Sequence, residues 1–84
     1  MKKRLGFVGI VVENRRKSAG LVNQVLTEFG DLIYGRMGIP HLEEDHSVIT
    51  LIVRATTDEV GSLTGQLGQI EGVSVKSAMT TAKM

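Results

Sequence analysis

The chain has 84 residues, 42% hydrophobic and 23% charged, with a formal net charge of +1. That describes a single small globular domain, residues 1–84, whose core is marginal on its own because so short a chain buries only about 60–65% of its unfolded surface. The sequence holds no cysteine, which excludes disulfides and thiolate zinc sites as staples and leaves oligomerisation as the expected support.

The charge is unevenly spread. Residues 1–17 carry six basic side chains (Lys2, Lys3, Arg4, Arg15, Arg16 and Lys17) against Glu13 alone, while the remainder carries four basic and eight acidic residues. One end is therefore locally positive and favours anions, without the overall charge of a nucleic-acid binder. The apolar run after Lys2-Lys3-Arg4 is cut off by Glu13 and Asn14, so it is neither a signal peptide nor a membrane span. A cytoplasmic protein with no membrane contact is expected.

Residues 5–12 are almost wholly apolar and rich in valine and isoleucine, which predicts a strand covered on both faces. Residues 14–17 read as a basic loop, and Ser18 as the cap of a helix. Val22, Val25, Leu26 and Phe29 then recur at helical spacing, and Gly30 reads as a left-handed stop. A glycine-broken strand is expected over residues 32–39, a polar turn over 40–46 and a β-branched strand over 47–55. Thr57 reads as the cap of a second helix, with Asp58 and Glu59 suited to its positive end and Val60, Leu63, Leu67 and Ile70 as its buried stripe. Gly72 ends that segment, and residues 73–79 form the last strand.

The order strand-helix-strand-strand-helix-strand is the ferredoxin-like, α+β arrangement: βαββαβ, with two helices on one face of a four-stranded antiparallel sheet. Each helix has one apolar stripe, so the pair can cover only one sheet face. The first and third strands are apolar on both parities, with Val48 and Ile52 on one and Ile49, Leu51 and Val53 on the other. The second face is therefore expected to be covered by another subunit, in a dimer or tetramer.

Three groups of residues are candidates for function. In Asn14-Arg15-Arg16-Lys17-Ser18-Ala19-Gly20, three cations stand at a helix start whose amides are free, a setting that suits a carboxylate or phosphate. In His41-Leu42-Glu43-Glu44-Asp45-His46, the two imidazoles and the carboxylates could ligate a transition metal, more readily if a symmetric interface doubled their number. Gly61, Gly65 and Gly68 share one face of the second helix. Three interior glycines cost about 2.5–3 kcal/mol relative to alanine, so a close backbone contact at an interface is expected to compensate. The same expectation covers Gly6, Gly9 and Gly35. Arg36, a long cation set among glycines in a strand, is a further candidate for an anionic ligand. No nucleophile-base arrangement is present in the pattern, and an enzyme is not expected.

This order of elements resembles the ACT and ACT-like small-molecule-sensing modules, and more distantly the C-terminal domain of the nickel-responsive repressor. The stretches Glu13-Asn14-Arg15, Val22-Asn23, Gly35-Arg36-Met37-Gly38-Ile39-Pro40 and Leu63-Thr64-Gly65-Gln66-Leu67-Gly68 resemble a family of small ACT-like regulators of iron-only hydrogenase systems, over about residues 4–79. The repressor's metal ligands correspond to Arg36-Met37-Gly38 and Ser47, so its nickel site is not expected here, and its DNA-binding arm has no counterpart in this sequence. The resemblance implies a homo-oligomeric regulatory module; read with the residues above, its subunit interface is expected to create a site for a small anionic ligand, using Asn14, Arg15, Arg16 and Gly20, with Arg36 as a further candidate. Ligand binding would shift an assembly or partner equilibrium, a DNA-binding protein being a candidate partner above all for a ligand-free interaction module, and direct contact with nucleic acid is not expected. No cofactor is called for. The alternatives are a metal-handling protein using His41 and His46, and an interaction module with no ligand.

Overall fold

The computed structural model describes residues 2–83. Its elements are β1 (Arg4–Val12), α1 (Arg15–Glu28), a 3-10 turn (Gly30–Leu32), β2 (Ile33–Glu43), β3 (His46–Ala55), α2 (Thr57–Gly68) and β4 (Val73–Lys83). The strands form one antiparallel sheet in the order β2-β3-β1-β4. This is the βαββαβ arrangement expected from the sequence. β1 pairs with β3 over its whole length, from Arg4 opposite Ala55 to Val12 opposite Ser47.

The core follows from strand parity. Val8, Ile10 and Val12 of β1 and Leu51, Val53 and Ala55 of β3 point to one face, where they pack with Val22 and Leu26 of α1 and Val60, Leu63 and Leu67 of α2. Both helices thus cover that face. On the opposite parity, Phe7, Val11 and Ile52 remain about two-fifths exposed, so within one chain only one side of the doubly apolar strands is buried.

Several boundaries differ from the sequence expectation, each for a local reason. α1 begins at Arg15, and its cap is Asn14, whose Oδ1 accepts from the Lys17 backbone N–H at 3.2 Å. The Arg15-Arg16-Lys17 run is therefore helical, in keeping with the good helix propensity of arginine and lysine. Ser18 is buried inside the helix, and its hydroxyl donates to the Glu71 carbonyl at 2.9 Å. α2 is capped by Thr56, not Thr57: Thr56 Oγ1 accepts from the Glu59 N–H at 3.1 Å, and Glu59 Oε1 accepts from the Thr56 N–H at 2.8 Å. This reciprocal box satisfies two donors that would otherwise be orphaned.

Gly30 is no left-handed stop. It opens the 3-10 turn that seats Leu32 in the core, and Gly72, with φ +75°, is the glycine that needs the left-handed region. The turn expected over 40–46 is only Glu44-Asp45; β2 continues to Glu43, which pairs with His46. Pro40 is tolerated because β2 is an edge strand. β4 runs past residue 79, anchored where the Thr80 hydroxyl donates to the Leu5 carbonyl at 2.7 Å.

Candidate functional site

A cavity of about 180 Å³ lies where the start of α1 faces the β2–β3 hairpin. Its floor is apolar, with Val12, Val22 and Ile49, and one wall is the Gly38-Ile39-Pro40 stretch of the edge strand. Arg15, Asn23, Arg36 and Ser47 supply the polar lining. Helical spacing explains the α1 side. Arg15, Ala19, Val22 and Asn23 stand at i, i+4, i+7 and i+8, one face of the helix.

Arg36 reaches the cavity because of register. It pairs with Leu51, whose side chain is buried under the helices, so Arg36 lies on the helix-covered parity of the sheet. Its Nη2 donates to Asn23 Oδ1 at 2.8 Å. The Arg15 backbone N–H donates to the Asp45 carbonyl at 2.9 Å, which ties the first turn of α1 to the hairpin turn. Neither Arg15 nor Arg36 is in an ion pair among the described residues, whereas Lys3 pairs with Glu59 and Lys17 with Glu71. Two guanidiniums without a carboxylate partner, beside an apolar floor, suit a compact ligand with an anionic head and an apolar body.

Of the residues proposed from sequence, Arg15 and Arg36 are brought together in this cavity. Asn14 is occupied as the helix cap. Arg16 and Gly20 each follow a lining residue by one position, and that turn of about 100° carries them off the lining face onto exposed surface. Ala19, Asn23 and Ser47 were not anticipated. The first two could have been found by stepping four and eight residues from Arg15.

The other two candidate groups fare differently. His41 is exposed, and His46 is half-buried with Nδ1 3.1 Å from the Glu43 carbonyl oxygen. Among the described residues, no three histidine, aspartate or glutamate side chains come together as a metal site. At Gly61, Gly65 and Gly68 an added Cβ would meet nothing within 4 Å, so the expected close backbone contact is not made within the chain. Gly9 is likewise uncrowded, and at Gly35 the nearest atom is Ile52 Cδ1 at 3.4 Å. Gly6 is the true close approach: a Cβ there would lie 2.4 Å from Met79 Sδ and 3.3 Å from the Ala78 carbonyl oxygen.

The fold defines an ACT-like domain. The ACT domain from the GTP pyrophosphokinase of Chlorobium tepidum is similar with a TM-score of 0.77 at 19% identity, over 90% of this chain and 99% of that one. The C-terminal domain of the MgtC protein from Mycobacterium tuberculosis is similar with a TM-score of 0.73 at 15% identity, over 94% and 89%. At such identities the likeness is one of fold. The uncharacterized protein TM1266 from Thermotoga maritima is nearer, with a TM-score of 0.89 and 40% identity over 95% of this chain and all of that one (100%). The sequence model of the TM1266-like family, described as "Iron-only hydrogenase system regulator, putative", matches residues 4–77. This chain belongs to that family. None of the curated proteins matches it. Among the described residues no helix is long and apolar enough to cross a membrane.

Proposed function

We propose that this protein is a self-associating, small-molecule-responsive regulatory module without enzymatic activity, serving an iron-only hydrogenase system through a DNA-binding partner protein. The single observation that carries the ligand response is the placing of Arg15 and Arg36 around one cavity, neither of them in an ion pair. A carboxylate or phosphate at the mouth would accept from both guanidiniums, while the apolar part of the ligand rests on Val12, Val22 and Ile49. The occupied site would bridge α1 to the edge strand β2. Binding acts on function only through a difference in affinity between two states of assembly or partner engagement. The family description supports the regulatory setting. Direct DNA reading by this chain is not part of the proposal, because its basic residues near α1 are few and Arg15 faces the cavity.

The test is a thermal-shift screen of the untagged protein against short carboxylates, small phosphates and inorganic phosphate. A hit that raises the melting temperature in wild type and not in Arg15→Ala or Arg36→Ala supports the proposal. A screen without hits, or hits indifferent to both substitutions, contradicts it.

A further inference from the structure

The side chains that line the cavity between α1 and the β2–β3 hairpin offer hydrogen-bond donors almost throughout. Arg15 and Arg36 have no acceptor atom. Because arginine only donates, the Asn23 atom 2.8 Å from Arg36 Nη2 is the amide oxygen, and the group Asn23 has left to use is its NH2. Ser47 is 6% exposed, and its hydroxyl makes no hydrogen bond to another described residue. A polar side chain so buried normally has a partner, and this one opens on a cavity instead.

Among the described residues no aspartate or glutamate lines the cavity. The acids nearest to it in the chain lie elsewhere. Glu13 is exposed and packs beside Gly72, where an added Cβ would stand 3.8 Å from its own Cβ. Glu44 and Asp45 are exposed in the hairpin turn, and Asp45 meets Arg15 only through its backbone carbonyl. Glu43 pairs with His46, and the register puts both on the sheet face away from the helices. His41, next to the Pro40 wall, is exposed and brings no negative charge.

We infer that the cavity takes a short 2-oxo acid and rejects the 2-amino acid of the same carbon skeleton. The inference names the ligand class of the anion site proposed above and rests on that reading. The carboxylate goes to the two guanidiniums. The 2-oxo oxygen, which only accepts, meets the Asn23 amide N–H or the Ser47 hydroxyl, the donors otherwise without a partner. An ammonium at the same carbon brings three donors and finds the Ser47 oxygen as its one side-chain acceptor. With two guanidiniums close by and no carboxylate to neutralise it, its burial is opposed by desolvation and by like-charge repulsion. Size sets the rest of the class. The cavity holds about 180 Å³, and an apolar cavity on the order of 150 Å³ accommodates benzene. A branched body of roughly four to six carbons therefore fits over Val12, Val22 and Ile49, whereas a nucleotide needs a larger pocket.

The experiment is calorimetric titration of the whole chain with 3-methyl-2-oxobutanoate, 3-methylbutanoate and L-valine, which share one branched skeleton and differ at carbon 2. The oxo acid is expected to bind about tenfold more tightly than 3-methylbutanoate, and L-valine at least about tenfold more weakly than it. Ser47→Ala is expected to weaken the oxo acid by about three- to tenfold and to leave 3-methylbutanoate unchanged, a split that a loss of structure would not produce. Asn23 is exposed, so Asn23→Asp is tolerated by the fold. It supplies the missing carboxylate and removes the amide donor, and the preference for the oxo acid over L-valine should fall at least about tenfold. L-valine bound as tightly as the oxo acid, or a preference unchanged in Asn23→Asp, overturns the inference while the anion site stands. No binding of any of the three acids overturns it as well, and if inorganic phosphate is then also silent the anion site falls with it.

Discussion

Arg36 Nη2 donates a 2.8 Å hydrogen bond to Asn23 Oδ1, joining the edge strand β2 to the third turn of α1. The bond holds the guanidinium at the cavity with donors still free, since arginine has five and this contact uses one.

That geometry separates the role of Arg36 in binding from its role in folding. The pair is exposed, so Arg36→Ala is expected to lower stability by less than about 1 kcal/mol while removing binding of the anion identified by screening. Arg36→Lys keeps the charge but loses the planar fork, and an intermediate affinity is expected. Urea denaturation and calorimetric titration on the three proteins check both statements.

The α2 glycines give a prediction of opposite sign to most substitutions. Gly61 and Gly65 lie inside the helix with open space where a Cβ would stand. Alanine at either position is expected to raise stability by about 0.5–1 kcal/mol, by lowering the freedom of the unfolded chain and favouring helix. Thermal melts of the single and double variants, run with a sizing measurement, test this. Loss of self-association in these variants would restore the expectation that a neighbouring molecule packs on the stripe.

Two glutamates make stability depend on pH. The Thr56 backbone N–H, then the charge of Lys3, hold the Glu59 carboxyl below its ordinary value of 4.5, and the Lys17 ammonium does the same for Glu71. A carboxylate whose folded value is depressed contributes stability that is present above the unfolded value and lost as the pH falls through the folded one. Stability should therefore decline below about pH 4.5. In Glu59→Gln the amide oxygen still accepts from Thr56 but nothing titrates, so the acid limb should be shallower. Denaturant midpoints from pH 3 to 7 decide it.

Gly6 is the position where a side chain does not fit. Gly6→Val would drive branched carbons against Met79 and the Ala78 carbonyl, and a loss of about 1–3 kcal/mol is expected. The flexible thioether can yield but the carbonyl cannot, so Met79→Ala in the same chain should recover only part of the loss. Chemical denaturation of the single and double variants measures the recovered share.

The topology was legible because period-two and period-3.6 patterns alternate cleanly, and each buried hydrophobic residue of α1 and α2 falls on its expected stripe. The helix starts were less so. Asn14 and Ser18 are both good caps, and the basic run between them resembled a solvated loop; only the hydrogen bond from Lys17 distinguishes them. Thr56-x-x-Glu59 is a capping-box spacing that was open to reading, and Thr57 beside it obscured it. At the cavity, Arg15 and Arg36 were visible as costly cations. Asn23 follows from Arg15 once the helix is known to begin there, whereas Ser47 is brought to the cavity by the sheet, which no single stretch of sequence displays.

The central claim is that the cavity between α1 and the β2–β3 hairpin binds a small anion through Arg15 and Arg36. Its most direct test is amide chemical-shift mapping of the isotope-labelled protein titrated with 3-methylbutanoate and, separately, inorganic phosphate. Saturable shifts confined to residues around Arg15, Ala19, Asn23, Arg36 and Ser47, and abolished in Arg15→Ala and Arg36→Ala, are the predicted result. Titrations with both probes that leave those amides unmoved, or that move them equally in the variants, would contradict it.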